Sequence, residues 1–183
     1  MFGLWYNIID FLFGGKTVRI LGIDPGYAIV GYGIVDVVQG RFTLIDCGAV
    51  TTGADMPFHK RLSTVFRDMT EVVSTYKPDE VSVEKLFFNS NQKTAIDVAQ
   101  ARGVTLLPAI TADIPIFEYT PLQVKSSIVG YGRAEKHQVQ EMVRNMLRLK
   151  AIIKPDDTAD AVALAITHGL SLGRRQIERN NSI

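Results

Sequence analysis

The stretch "ILGIDPG", residues 20–26, combines a short apolar run typical of a buried strand with a carboxylate at the end of that run. Pro25 and Gly26 follow Asp24 directly, and they predict that the strand stops there. An ionised carboxylate that is buried without a partner costs several kcal/mol. We therefore expect Asp24 to meet partners supplied by other parts of the chain.

Three β-rich runs, over residues 18–24, 28–38 and 41–51, are separated by the short connections "PGY" and "QG". Strands so closely spaced predict an antiparallel meander. The second run, "AIVGYGIVDVV", contains two glycines, which predict either a close approach of another backbone or a β-bulge.

Helices and strands alternate after the meander. Apolar residues at helical spacing predict an amphipathic helix over 57–76, and a fourth strand then ends near Glu84. The remaining predicted elements are a helix over 91–107, a fifth strand in "PIFEYT", and helices over about 121–129, 135–149 and 157–172. Without an internal repeat or a convincing linker, this order predicts one α/β domain.

Composition indicates an ordinary globular protein, with 183 residues, 46% hydrophobic and 21% charged. The single cysteine, Cys47, excludes an intramolecular disulfide and a CxxC-type metal site, so a reducing cytoplasm is the expected compartment. The net charge of +1 is uninformative, but residues 120–154 carry seven lysines and arginines against two glutamates. That segment is either a solvated helical surface or a face that binds phosphate.

Four acidic residues form the candidate site: Asp24, Glu84, Asp157 and Asp160. Each has an ordinary structural explanation, as a turn residue, an edge residue paired with lysine, or a helix cap. Asp157 and Asp160, however, share one face of the last helix. If the first and fourth strands are neighbours, all four carboxylates converge, and such a cluster is typical of a site for Mg²⁺ or Mn²⁺. Two such ions can drive in-line phosphodiester cleavage.

Several ordered motifs resemble the RuvC family of bacterial Holliday-junction resolvases, within the RNase H-like nuclease superfamily. They are "ILGIDPG…GYGI" at 20–34, "VEKLFFNSN" at 83–91, "AQARGV" at 99–104, "FEYTPLQVKSSIVGYGRAEKHQVQEMV" at 117–143 and "DDTADAVALAITH" at 156–168. The resemblance implies a mixed five-stranded sheet flanked by helices. It also implies that Asp24, Glu84, Asp157 and Asp160 are the catalytic, metal-binding acids, with Asp156 the less favoured partner of Asp160.

The resemblance further implies a homodimer that makes two symmetric nicks in four-way junction DNA, leaves ligatable ends and cooperates with the RuvA–RuvB branch-migration complex. Within this chain, Phe87 matches an aromatic residue that stacks on an unpaired base at the crossover. Lys125 and Lys136 match basic residues that line the cleft. Packing of an aromatic in the core and ordinary surface lysines are the alternatives.

The resemblance covers residues 18–172, which predicts a nuclease domain there and a basic C-terminal tail at 173–183. Residues 1–17 have no family counterpart, and their apolar part of about ten residues is too short to span a bilayer, which needs ~20. Lys85 departs from the family pattern, but strand alternation predicts that it points away from Glu84. His137 and His168 are expected to be surface or packed residues rather than metal ligands.

Three other functional classes compete with this interpretation. An RNase H-like nuclease of the YqgF type, acting on RNA, shares the Asp-containing opening but is not expected to carry "GYGRAEK" and "ADAVALAITH". An actin-like or Hsp70-like ATPase needs about twice this length. A non-catalytic junction-binding module has no use for four acids close to phosphates.

Overall fold

The computed structural model describes residues 16–26, 28–85 and 92–180, and for 92–94 and 173–180 only the course of the backbone. A five-stranded mixed sheet in the order β3-β2-β1-β4-β5 forms its centre. The strands are β1 (Val18–Asp24), β2 (Ile29–Val38), β3 (Arg41–Thr51), β4 (Glu80–Glu84) and β5 (Ile116–Tyr119). The first three pair antiparallel, as the meander predicts, whereas β4 lies parallel to both β1 and β5.

Within the described residues, five helices cover the two faces of this sheet. They are α1 (Phe58–Tyr76), α2 (Gln92–Thr111), α3 (Pro121–Val129), α4 (Lys136–Met146) and α5 (Asp156–Asn180). None of the described helices combines the length and the apolar character needed to cross a membrane.

Strand alternation divides the core into two layers. Leu21 and Ile23 of β1 face α1 and α2, where they pack among buried residues such as Met69. Ile20, from the opposite face of the same strand, packs with residues of α4 and α5 such as Ile166. Asp24 continues the Ile20 face, so its carboxylate lies on the side of the sheet that carries α5.

Backbone contact between α5 and the sheet depends on two glycines. A Cβ atom at Gly22 would lie 1.9 Å from the carbonyl oxygen of Ala161, and one at Gly31 would lie 2.0 Å from that of Asp157. No side chain fits at either position without moving the helix. The predicted close approach is therefore confirmed at Gly31. The register of β2 and β3 also shifts between Ile34 and Val35, where Ile45 of β3 has no partner in the ladder.

Three predicted helix ends differ from the structure by three residues or more. The helix expected over 91–107 continues to Thr111. The helix expected over 135–149 ends at Met146, because Arg148 adopts a left-handed conformation with φ of 54°. The last helix, expected over about 157–172, begins at Asp156 and continues to Asn180. None of these differences affects the positions of the acidic residues.

Candidate active site at the ends of two parallel strands

Asp24 and Glu84 end two neighbouring strands. β1 and β4 are parallel and pair Ile23 with Val83, so the residues that follow lie side by side at the same edge of the sheet. Both side chains are partly buried. The neighbouring strands that the acid cluster requires are therefore present.

The start of α5 completes the acidic cluster. Gly31 is the antiparallel partner of Asp24, and the backbone of Asp157 packs directly on Gly31. Asp160 follows less than one helical turn later on the same face. The two glycine contacts therefore place the two helix acids above the strand acids.

The acidic cluster changes the protonation of its strand members. Burial, followed by the charges of Asp160, Glu84 and Asp157, raises the pKa of Asp24 from its ordinary value of 3.8 to about 7, against a lowering effect of Lys136. Burial and the charge of Asp160 also raise the pKa of Glu84. At both strand acids, burial and neighbouring negative charge therefore outweigh the effect of Lys136.

Lys136 brings a positive charge into direct contact with this site. It is the first residue of α4, and its Nζ lies 2.9 Å from Oδ2 of Asp160 and 3.4 Å from Oδ2 of Asp156. Partial burial works against its charged form, but the hydrogen bond to Asp160 and the charges of both aspartates raise the pKa of Lys136 overall. The basic residue predicted to line the cleft thus contacts one of the predicted catalytic acids.

Asp156 lies at a more exposed position beside the cluster and shares Lys136 with Asp160. Its Oδ1 accepts hydrogen bonds from Lys154 at 2.7 Å and from Gln140 at 3.1 Å. These bonds and the charge of Lys136 lower the pKa of Asp156 to about 2. Asp156 therefore stays ionised and holds lysines beside the cluster, a role that sequence analysis did not assign to it.

A cavity of about 230 Å³ opens at the acidic cluster. Glu84, Asp160, Lys125 and Lys136 line it together with apolar residues of α3, α4 and α5. Both predicted DNA-contacting lysines thus lie beside the acids. Phe87 lies outside the described residues, so its predicted stacking role stays a prediction. Lys85, directly after β4, is exposed.

The chemistry of the donor set fits a hard divalent cation, since all four groups offer carboxylate oxygens. Among the described residues, no group of three acidic, histidine or cysteine side chains is arranged closely enough to hold a metal ion as placed. The ammonium group of Lys136 is instead bound to Asp160. The acids are thus gathered at one cleft without being closed into a coordination shell.

A buried polar network lies further along α5, and no sequence pattern indicated it. His168 is completely buried and contacts Glu80 of β4 and Tyr119 of β5. The expectation that His168 is a packed residue agrees with this position. Its partners are 88 and 49 residues away in the chain, so no local pattern could reveal them.

Comparison with known proteins shows which family shares this sequence and fold. The family described as crossover junction endodeoxyribonuclease RuvC matches residues 20–168. The RuvC proteins of Clostridioides difficile (strain 630) and Ruminiclostridium cellulolyticum are 57% and 54% identical to this chain over 152 residues, which is 83% of this chain and 90% and 92% of theirs. A structure titled "T. thermophilus RuvC in complex with Holliday junction substrate" is 34% identical and covers 86% of this chain and 96% of its own, with a TM-score of 0.82. The predicted fold class is confirmed.

Proposed function

Because this chain belongs to the RuvC family of crossover junction endodeoxyribonucleases, we propose that it resolves four-way DNA junctions with the carboxylates at the ends of β1 and β4 and at the start of α5. The reaction is a hydrolysis of two symmetrically placed phosphodiester bonds during recombination and repair. The relatives' names and the Thermus thermophilus complex support junction DNA as the substrate.

One observation carries the assignment of the site. Asp24 and Glu84 end two neighbouring parallel strands, and the start of α5, which carries Asp157 and Asp160, packs directly on the partner residue of Asp24. Burial and the charges of these acids raise the pKa of Asp24 to about 7. A fold that keeps such a charge cluster in a cleft lowers its own stability, which is typical of a catalytic site rather than of a structural one.

The residues that would hold divalent cations are Asp24, Glu84, Asp157 and Asp160. The expected ion is Mg²⁺, for which Mn²⁺ can substitute, and we propose two ions per site. Such ions supply an activated water and charge compensation on the leaving oxygen.

Lys136 and Lys125 neutralise phosphate charge at the mouth of the same cavity. Lys136 is suited to this because it begins α4, where backbone N–H groups also attract anions. Its contacts with Asp160 and Asp156 keep its ammonium group beside the acids in the absence of DNA. The lysine is therefore already positioned when a phosphate arrives.

We propose that the protein acts as a homodimer, which matches the two-fold symmetry of a junction, and that it works with the RuvA–RuvB motor. Exposed apolar side chains on α1 and α2 support an interface on that face: Phe66 is 41%, Leu107 41% and Ile110 53% exposed. Sedimentation of the full chain and of a Leu107→Glu variant would test the dimer.

The decisive experiment incubates the protein with an end-labelled four-way junction and with linear duplex, each with Mg²⁺ and with chelator. Paired symmetric nicks in the junction alone, dependent on Mg²⁺, are expected. Asp24→Asn should abolish cleavage while junction affinity is kept or slightly increased, because the amide keeps the shape and removes a charge that repels phosphate. Cleavage by Asp24→Asn at the wild-type rate would overturn the site assignment.

A further inference from the structure

The buried network around His168 links three separate elements. Nε2 of His168 makes a short contact with a carboxylate oxygen of Glu80, at the start of β4, and Nδ1 lies 2.7 Å from the hydroxyl oxygen of Tyr119 on β5. Phe117 of β5 stacks on the ring, with 4.3 Å between centroids. The side chain of His168 is 0% exposed and that of Glu80 23%. Both ring nitrogens therefore fix α5 to the sheet from a water-poor position.

The network and the acidic cluster are carried by the same two elements, β4 and α5. Glu80, Ser82 and Glu84 alternate onto one face of β4, and Glu84 belongs to the cluster. On α5, Asp160 lies near Glu84 and His168 lies against Glu80, so the helix runs antiparallel to the strand. Ser82, completely buried between the two glutamates, leaves room for the helix to pack closely.

The two spans have matching lengths. From Asp160 to His168 is eight residues, or ~12 Å along a helix. From Glu80 to Glu84 is four residues, or ~13 Å along a strand. A link at His168 and Glu80 therefore determines which residue of α5 lies opposite Glu84.

The glycine contacts at β1 and β2 determine the distance between α5 and the sheet rather than the position of α5 along it. They determine how closely α5 approaches the sheet, because the backbones touch there. Apolar side chains of α5, such as Val162 and Ile166, also pack against the sheet, but these contacts are not directional. The charged and hydrogen-bonded contact at Glu80 resists a shift of α5 along the sheet.

We propose that His168 is a positioning residue for the metal site, which through Glu80 fixes the axial position of α5 on β4 and so the separation of Asp160 from Glu84. This inference rests on the proposed function of the four acids. It predicts that loss of the link weakens divalent-cation binding by more than it weakens folding or junction binding.

The experiment measures Mn²⁺ binding by the full-length protein without DNA, from the free-ion signal in electron paramagnetic resonance. Two variants break the link: Glu80→Ala removes the acceptor at a partly exposed position, and His168→Phe keeps the ring volume without its nitrogens. Glu80→Gln keeps an oxygen at the same reach and serves as the conservative rescue. Asp36→Asn is the matched control, since it weakens another buried contact, the bidentate pair of Arg19 with Asp36, by removing the charge and one of the two acceptor oxygens.

We expect both link-breaking variants to lose about tenfold or more in Mn²⁺ affinity, the usual range for a residue that orients metal ligands, with junction affinity in chelator unchanged. Glu80→Gln should bind Mn²⁺ like the wild type. Asp36→Asn should melt at a lower temperature and still bind Mn²⁺ normally. If His168→Phe fails to fold, the comparison of Glu80→Ala with Glu80→Gln decides.

Equal Mn²⁺ affinity in wild type and Glu80→Ala would overturn the inference. A loss in Asp36→Asn as large as in Glu80→Ala would also overturn it, because general loosening would then explain both. A wild-type protein that neither binds Mn²⁺ nor cuts junctions would instead contradict the proposed function.

Discussion

Replacing Asp24 by asparagine should make the metal-free protein more stable. Burial and three neighbouring carboxylates raise the pKa of this residue from 3.8 to about 7, which means that the folded state disfavours its charge. The shift of about 3 pKa units corresponds to about 4 kcal/mol at 1.36 kcal/mol per unit. Asparagine avoids the charge but remains a partly buried polar group, so we expect a gain of about 2–4 kcal/mol.

The sign of this effect depends on pH in a defined way. Below about pH 4 Asp24 is protonated in both the folded and the unfolded state, and the variant gains nothing. Between about pH 4 and pH 7 the folded state holds the proton that the unfolded state releases, so wild-type stability falls as pH rises. Above pH 7 the full penalty applies, and the advantage of Asp24→Asn reaches its maximum.

Urea denaturation followed by circular dichroism, at pH 4, 6 and 8 in chelator, measures the difference directly. Asp113→Asn is the control, because Asp113 is exposed and its φ of 54° is one that asparagine tolerates. Added Mg²⁺ should stabilise the wild type and reduce the advantage of the Asp24 variant. An Asp24→Asn protein that is no more stable than the wild type at pH 8 in chelator would refute the charge-cluster reasoning.

Three further outcomes are expected. Lys125→Ala and Lys136→Ala should each reduce the slope of log junction affinity against log salt concentration by about one. Unchanged slopes would show that neither lysine contacts phosphate. Phe87→Ala should lose cleavage more than affinity, and a fall in melting temperature large enough to explain the loss would contradict stacking. Gly31→Ala should destabilise the fold by about 1–3 kcal/mol and abolish cleavage, because its Cβ would lie 2.0 Å from a carbonyl of α5. Gly103→Ala, with nothing within 4 Å of its added Cβ, is the control and should cut normally.

Local sequence patterns predicted the elements that locate the acids. The antiparallel meander follows from three β-rich runs with short connections, and the glycines of the second run indicated the close approach that Gly31 makes to α5. Asp24 was recognisable because a carboxylate at the end of an apolar strand requires an explanation. The meeting of Asp24 with Glu84 then depended on one assumption, that β1 and β4 are neighbours, and the sheet order satisfies it.

Contacts between distant residues could not be predicted in the same way. The sequence indicated no more for Asp156 than a less favoured partner of Asp160. In the structure, Gln140 and Lys136 of α4 contact its carboxylate. His168 looked like one more packed residue, because its glutamate and tyrosine partners come from two other elements of the sheet. Helix ends were also less certain, since the left-handed turn at Arg148 has no glycine or asparagine to indicate it.

The backbone contact between α5 and the sheet has a consequence for how this site can change by mutation. Where side chains separate two elements, a larger residue on one side can be matched by a smaller one on the other. At Gly22 and Gly31 the opposing atoms are main-chain carbonyl oxygens, which every amino acid carries, so no second substitution can make room. Each of these positions therefore accepts one amino acid, and a search for compensating mutations in α5 should return none.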